Sequence, residues 1–282
     1  MRVLLALLFM ATAVGAQERI MVLASTTSTQ NSGLLEAILP VFEASTGIKV
    51  FVVAVGTGQA MRIARNGDAD AILVHHRPSE DRFVADGFGI DRLDIMFNDF
   101  VIIGPKADPA GVGSAKTARQ AFANISTSQS QFISRGDNSG THLRELEIWQ
   151  EAGLSPDYDG YLEVGSGMGT ALNLASGLGA YILADRGTWL SFQNRGDLVL
   201  LFQGRAEMIN PYGYVRVNPA RFPHIKSAEA AELGKWLISA AGQAAIADFR
   251  VEGVQLFCPN GSTTPDQQPD QQSTCAAGDL QR

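Results

Sequence analysis

The residues best placed to do chemistry are Ser134-Arg135-Gly136-Asp137-Asn138-Ser139-Gly140-Thr141-His142. An arginine is followed by an acid, then by Ser-Gly-Thr, then by a strongly helical run from Leu143 to Ala152. Ser139 or Asn138 can cap that helix, and Gly140 lets backbone come close to a ligand. First-turn N–H groups have no partner inside a helix and carry the positive end of its dipole, which suits an oxyanion. Arg135 adds full charge on a planar fork of donors, and Asp137 is placed to hold that fork. The pattern reads as an anion cradle. A nucleophilic reading, with Ser139 or Ser28 activated by His142, has less behind it: His142 starts the helix, and no Gly-x-Ser-x-Gly elbow occurs. His75, His76, His142 and His224 lack zinc-site spacing, so neither metal nor cofactor is expected.

Strands and helices must bring such donors together. Ile20 to Ala24 is a short apolar strand that runs into Ser25-Thr26-Thr27-Ser28-Thr29, more hydroxyls than a cap needs. Leu34, Leu35, Ile38, Leu39 and Phe42 then have helical spacing, with Pro40 expected to kink the helix or mark a local break and Gly47 to stop it. Ile48 to Val55 is a second strand, ending at Gly56-Thr57-Gly58 before a helix expected over Ala60 to Arg65. The third glycine of a dinucleotide fingerprint is missing there. Ala71 to Val74 and Leu93 to Ile103 are further extended runs, and Gln131 to Ile133 leads into the cradle. Leu162 to Val164 enters Gly165-Ser166-Gly167-Met168-Gly169-Thr170 and a helix of Ala171 to Ser176; Ala180 to Leu183 enters Asp185-Arg186-Gly187-Thr188. Leu198 to Phe202 and Tyr212 to Val217 are extended, while Ser227 to Ala241 and Gln243 to Phe249 read as helices. Such alternation predicts a parallel α/β architecture with ligands at strand C-termini, where glycines and hydroxyls recur.

A chain of 282 residues is comfortable for two domains. Its net charge of -7 argues against nucleic acid or an anionic membrane as partner, so any anion site must concentrate its donors locally. Met1 to Ala16 reads as a secretory signal peptide cleaved near Ala16, too short for a membrane anchor before Gln17-Glu18-Arg19, and no cysteine follows for lipid attachment. An exported, periplasmic monomer with no membrane insertion is expected. In an oxidising compartment the even pair Cys258 and Cys275 reads as a disulfide. The stretch from Pro259 to Thr274 is rich in Pro, Gln, Asp, Ser and Thr, so residues 258–282 are expected to form a tail, disordered or pinned by that disulfide.

From roughly Leu23 to Phe257 the chain resembles the periplasmic tungstate-binding proteins of tungstate ABC transporters, the TupA family. The resemblance is carried by Ser25-Thr26-Thr27-Ser28-Thr29, Val53 to Gln59, Gly67-Asp68-Ala69-Asp70, Phe97-Asn98-Asp99-Phe100 with Gly104-Pro105, and the Ser134 to His142 array. Gly167-Met168-Gly169, Asp185-Arg186-Gly187-Thr188 and Asn210-Pro211-Tyr212-Gly213 complete it. The arginine, acid and Ser-Gly-Thr array is also similar to phosphate-binding proteins. The resemblance implies a two-lobed type II periplasmic binding protein, each lobe a mostly parallel sheet flanked by helices, joined by a two-segment hinge. Residues 17–97 and 211–257 would form lobe one and 98–210 lobe two, with crossings near Asn98 to Gly104 and Asn210 to Tyr214. It implies no enzyme but capture of tungstate, or else molybdate or phosphate, for an ABC transporter permease. Ser25, Thr26, Thr27, Ser28, Gly56 and Thr57 are the implied ligand residues of one lobe, and Arg135, Ser139, Gly140 and Thr141 those of the other. The chain departs from the family at Ser25-Thr26-Thr27, where threonines are commoner, at Ser166, where glutamine is common, and at Ala184, where threonine is common.

Overall fold

The alternation of short apolar runs with amphipathic ones becomes a βα chain in the computed structural model, which describes residues 18–262 apart from Arg205 and Glu252. The first half holds β1 (Arg19–Thr26), α1 (Thr27–Asn31), α2 (Leu34–Thr46), β2 (Ile48–Val55), α3 (Thr57–Arg65), β3 (Ala71–Val74), α4 (Arg77–Ala85) and β4 (Gly89–Pro105). Next come α5 (Ala118–Thr127), β5 (Phe132–Ser134), α6 (Gly140–Glu151), β6 (Tyr161–Glu163), α7 (Met168–Leu178), β7 (Tyr181–Asp185), α8 (Arg186–Ser191) and β8 (Leu198–Phe202). The described chain ends with β9 (Ile209–Val217), α9 (Ser227–Leu237), α10 (Ala240–Asp248), β10 (Arg250–Val251), β11 (Val254–Gln255) and β12 (Cys258–Ser262). Residues 1–16, read as a signal peptide, lie outside the described residues, as does Cys275. No helix among the described residues is long and apolar enough to cross a membrane.

The main sheet has the order β2-β1-β3-β9-β4-β7-β5-β6, with β8 and β12 also paired to β4. β1 is parallel to β2 and β3, and β5 is parallel to β6 and β7, as βα crossovers require. The strands around β4 run antiparallel instead. β4 pairs with β9 from Gly89 to Asp99, then with β7 from Phe100 to Ile103. Its two halves thus belong to two lobes. Buried clusters follow the same division: two draw on residues 21–96 and 212–257, the other two on residues 100–208.

Several expectations need correction. Pro40 makes no local break: α2 runs through it from Leu34 to Thr46, with the ring on the exposed face. The C-terminal helical region divides at Ile238 and Ser239, where Ser239 caps α10 by accepting from the Gly242 N–H at 3.2 Å. Helices α3, α6 and α7 start about a turn before the expected residues, at Thr57, Gly140 and Met168. Gly56, Ser139 and Gly167 hold extended backbone at the three N-caps, so the Gly/hydroxyl runs are the first helical turns rather than loops before them.

The expected tail begins too early. Residues 258–262 form β12, antiparallel to β4 with Cys258 opposite Phe97 and Ser262 opposite Asp94. Pro259, Asn260 and Gly261 carry no strand signal of their own, and tertiary pairing overrides that weak propensity. Gln243 fastens the strand: its Nε2 donates to Ile95 O at 3.0 Å and Leu237 O at 2.7 Å, and its Oε1 accepts from Gly261 N at 2.6 Å. Cys258 is buried and disulfide-bonded. Replacing Gln243 by alanine strands three backbone groups and should cost about 1–3 kcal/mol in urea denaturation. A loss under about 0.5 kcal/mol, the value of an exposed contact, would show that β12 holds without this clasp.

Candidate anion-binding site

Between the two halves lies a cleft of about 250 Å³ lined by Thr27, Ser28 and Asn31 on one side and Arg135, Gly167, Met168, Gly169, Thr170 and Thr188 on the other. No acidic residue lines it. The β1–α1 junction supplies the first group. Thr26 caps α1, its Oγ1 accepting from Thr29 N at 3.2 Å and lying 2.7 Å from Thr29 Oγ1 and 3.0 Å from Ser28 Oγ. Ser25 is wholly buried, and its hydroxyl donates to Leu73 O at 2.8 Å, fastening β1 to β3.

Helix α7 presents its first turn to the same cleft. Its N-cap, Gly167, has no side chain with which to cap, so the N–H groups of Met168, Gly169 and Thr170 stay bare. A methyl group added at Gly167 or Gly169 would meet no protein atom within 4 Å. Packing therefore does not demand these glycines, and they leave the backbone of this turn open to the cleft.

Arg135 follows β5 and is 3 % exposed. Its terminal nitrogen donates to Asp137 Oδ2 at 2.6 Å, and the other carboxylate oxygen accepts from Ser139 N at 3.1 Å. Asp137 thus orients the guanidinium, while the buried Arg135 Nε has no protein partner. The turn needs left-handed backbone at Gly136 (φ 59°) and Asn138 (φ 56°), residue types that tolerate it. Ser139 caps α6, accepting from His142 N at 3.2 Å.

The other expected residues form a seam beside the cleft. Gly140 N donates to Thr57 Oγ1 at 3.0 Å, across the two lobes. A Cβ at Gly140 would come within 2.5 Å of the His75 ring, so only glycine admits this approach. Gly56 caps α3 against the Asp137 carbonyl, 3.7 Å from where its Cβ would stand. Thr141 Oγ1 is buried without a partner. Of the expected set, then, Thr27, Ser28 and Arg135 line the cleft; Thr57 and Gly140 join the lobes; Ser25, Thr26 and Ser139 hold local backbone.

His142 does not meet Ser139 as a base would: its Nδ1 accepts from Asn138 N at 3.0 Å. The imidazole on Ser28 is that of His75, with Nε2 3.1 Å from Ser28 Oγ and Nδ1 3.0 Å from Asn210 Oδ1. Asn210 Nδ2 is 2.7 Å from Asn98 Oδ1. Burial, aided by the positive Arg135, pushes the His75 pKa down to about 4, so the ring is neutral at pH 7. Sequence reasoning passed over His75 as one of four scattered histidines. It also left out Asn31, Thr188 and the Gly167–Thr170 turn, although the glycine-hydroxyl composition of that turn was the signal for it.

On the inner face of α6, Glu145 is buried, its Oε1 accepting from Tyr161 Oη at 2.8 Å and Trp149 Nε1 at 3.3 Å. Burial pushes its pKa up from 4.5 to about 8. Between those values the folded chain binds the proton and the unfolded chain does not, so this group's contribution to stability falls as pH rises. His75 acts in the opposite sense, losing stability as pH falls from 6.5 toward 4. Glu145→Gln should therefore flatten the loss of stability between pH 5 and pH 8, by on the order of 3 kcal/mol in chemical denaturation. An unchanged difference between the two pH values would mean that Glu145 is ionised in the folded chain.

A PBP superfamily domain model matches residues 11–241. The tungstate-binding protein TupA of Peptoclostridium acidaminophilum is 42% identical over 245 residues, 86% of this chain and 86% of that one. The crystal structure of the tungstate ABC transporter from Geobacter sulfurreducens shares 48% identity at a TM-score of 0.76, covering 83% of this chain and 100% of its own. The tungstate-binding protein TupA from Desulfovibrio alaskensis G20 shares 41% identity at a TM-score of 0.77, covering 86% and 100%.

Proposed function

The chain belongs to the TupA family within the PBP superfamily, and we propose that it captures a tetrahedral oxyanion, tungstate first, for delivery to the permease of an ABC transporter. The observation that carries this reading is a cleft lined by hydroxyls, the bare first turn of α7 and the guanidinium of Arg135, with no carboxylate among the lining residues. Tungstate at neutral pH is a dianion without protons, so each of its oxygens accepts hydrogen bonds. Hydrogen phosphate also has a proton to donate and needs an acceptor. The two carboxylates beside the cleft are engaged: Asp137 has one oxygen on Arg135 and the other on Ser139 N, and Asp185 accepts from the N–H and hydroxyl of Thr188. Molybdate has the same charge and shape as tungstate, and residue types do not separate the two.

In this reading Thr27, Ser28, Arg135 and the α7 turn meet the anion first. Thr57, Gly140, Thr141 and their neighbours Ser25, Thr26, Gly56 and Ser139 shape the closing lobes around it. The lobes hinge where β4 changes partners, at Asp99 and Phe100, and where the chain returns into β9 near Asn210. The protein works outside the cytoplasm after loss of residues 1–16, with Cys258 and Cys275 joined. A hydrolase is the second reading, because Ser28, His75 and Asn210 stand in the order nucleophile, base and orienting group. A ring with a pKa of about 4 is a poor base at neutral pH, which favours binding over catalysis.

Truncating an arginine that faces a buried dianion costs about 2–5 kcal/mol, or tens- to thousands-fold in affinity. Arg135→Ala should lose tight tungstate binding in calorimetry while remaining folded, and Arg135→Lys should recover only part of it, lacking the planar fork. Affinity of the alanine variant within a few-fold of the unmutated chain would refute the assignment. A thermal-shift panel with tungstate, molybdate, sulfate and phosphate completes the test: stabilisation by phosphate equal to that by tungstate contradicts the argument from the missing carboxylate.

A further inference from the structure

We propose that His75 is a positioning residue that makes Ser28 a hydrogen-bond donor toward the cleft, with its tautomer set by Asn98 and Asn210 on the two hinge strands. The proposal rests on the oxyanion reading above. Ser28 has a single hydroxyl proton, and its oxygen lies 3.1 Å from His75 Nε2 and 3.0 Å from Thr26 Oγ1. A neutral imidazole carries one N–H and one lone pair, so whichever His75 nitrogen bears the proton decides what Ser28 does with its own. Burial beneath Tyr212, whose ring stacks on His75 at 4.9 Å, keeps the ring neutral and fixed in plane.

The chain Asn98–Asn210–His75–Ser28 can run in two directions with the same heavy-atom positions, since turning a side-chain amide by 180° exchanges its nitrogen and oxygen. In one direction Ser28 donates to Nε2, Nδ1–H donates to Asn210, and Asn210 donates to Asn98. That direction leaves Asn98 Nδ2 buried without an aligned partner. It also commits the Ser28 proton to His75 and turns the oxygen lone pairs toward the cleft. In the other direction Asn98 donates to Asn210, Asn210 to Nδ1, and Nε2–H to Ser28. The Asn98 oxygen then faces the Tyr212 hydroxyl, which lies against both amides and can donate to it. The orphan donor disappears, and the Ser28 proton is free. Thr26 Oγ1 already accepts from Thr29 N, and an oxyanion is the stronger acceptor. A ligand made only of acceptors selects this second direction.

The same choice separates binding from catalysis at this site. Nδ1–H with an open Nε2 lone pair is the tautomer of a general base, whereas Nε2–H cannot take the Ser28 proton. Asn98 lies outside the cleft lining, so a substitution there reaches the anion through this chain or through the charge that it adds.

Two measurements on the full chain test this. In the ring-nitrogen NMR spectrum of 15N-histidine-labelled protein saturated with sodium tungstate, His75 should show a protonated Nε2 and an unprotonated Nδ1. A protonated Nδ1 overturns the proposal, and this readout needs no variant to fold. The second measurement is a cycle. Asn98→Asp replaces the donor amide by a carboxylate, forces Asn210 to donate toward it, and should convert His75 to Nδ1–H. Tungstate affinity in calorimetry should then fall about tenfold or more, as it should for Ser28→Ala. In the Ser28→Ala background the same change should cost less than about twofold, because the hydroxyl through which it acts is gone. Equal losses in both backgrounds would assign the effect to added charge and overturn the proposal. If the unmutated chain binds molybdate or phosphate but not tungstate, the choice of anion is wrong, and the spectrum with the anion that binds decides the tautomer. If it binds none of them, the oxyanion reading fails, and a protonated Nδ1 in the unliganded chain overturns the tautomer assignment as well.

Discussion

The arrangement at the cleft hangs on the change of partner that β4 makes between Asp99 and Phe100. Up to Asp99 it pairs with β9 and β12, and from Phe100 with β7 and β8, so one continuous strand is a structural member of both lobes. A strand can twist at such a point with little loss, because each half keeps a full ladder on its own side. The crossing is held by a buried pair: Arg186 at the start of α8 grips both oxygens of Asp99 at 2.6 Å. Such a pair returns little net stability after desolvation, but its bidentate geometry fixes the direction in which α8 leaves the hinge. Thr188, on the same turn of α8, is thereby aimed at the cleft.

Helix N-termini do two jobs here. The α7 turn is left bare and faces the cleft, whereas the first N–H of α6 is already taken by a hydroxyl from the start of α3. Gly56 and Gly58 bring that helix start against the carbonyls of Asp137 and Asn138. The lobes therefore meet through the same kind of group that would serve an anion. In a chain of net charge -7 this placement matters, because the positive potential of the dipoles and of Arg135 is gathered at one seam while carboxylates stay off the cleft lining.

Much of this was legible in residue types. Arg135 and Asp137 pair as their spacing implied, and the βα rhythm and the glycine-hydroxyl junctions were visible without coordinates. What the sequence hid has physical reasons. Helix starts were placed late because glycine and serine carry low helical propensity, yet at an N-cap and first turn that propensity hardly counts. The strand β12 was hidden because its pairing depends on an open edge of β4 more than 150 residues earlier in the chain. Which hydroxyls face a ligand was hidden too. Ser25 and Ser28 look alike in a run of five, but strand geometry directs Ser25 to Leu73 and helix α1 directs Ser28 to His75.

The path of the chain also sets an order of assembly. The lobe built on residues 100–208 is continuous, whereas the other needs residues 21–96 to wait for residues 212–257. A chain emerging from its N-terminus can complete the inner lobe while the outer one still lacks β9, α9 and α10. Until then β3 and the first half of β4 present open, apolar edges, including Ile72, Ile95 and Met96. The return of β9 between β3 and β4 is a closure over more than 100 residues of sequence, and β12 then covers the first half of β4 from its other side. These edges, covered in the finished molecule, are what a chain still lacking β9 would offer to a holding chaperone.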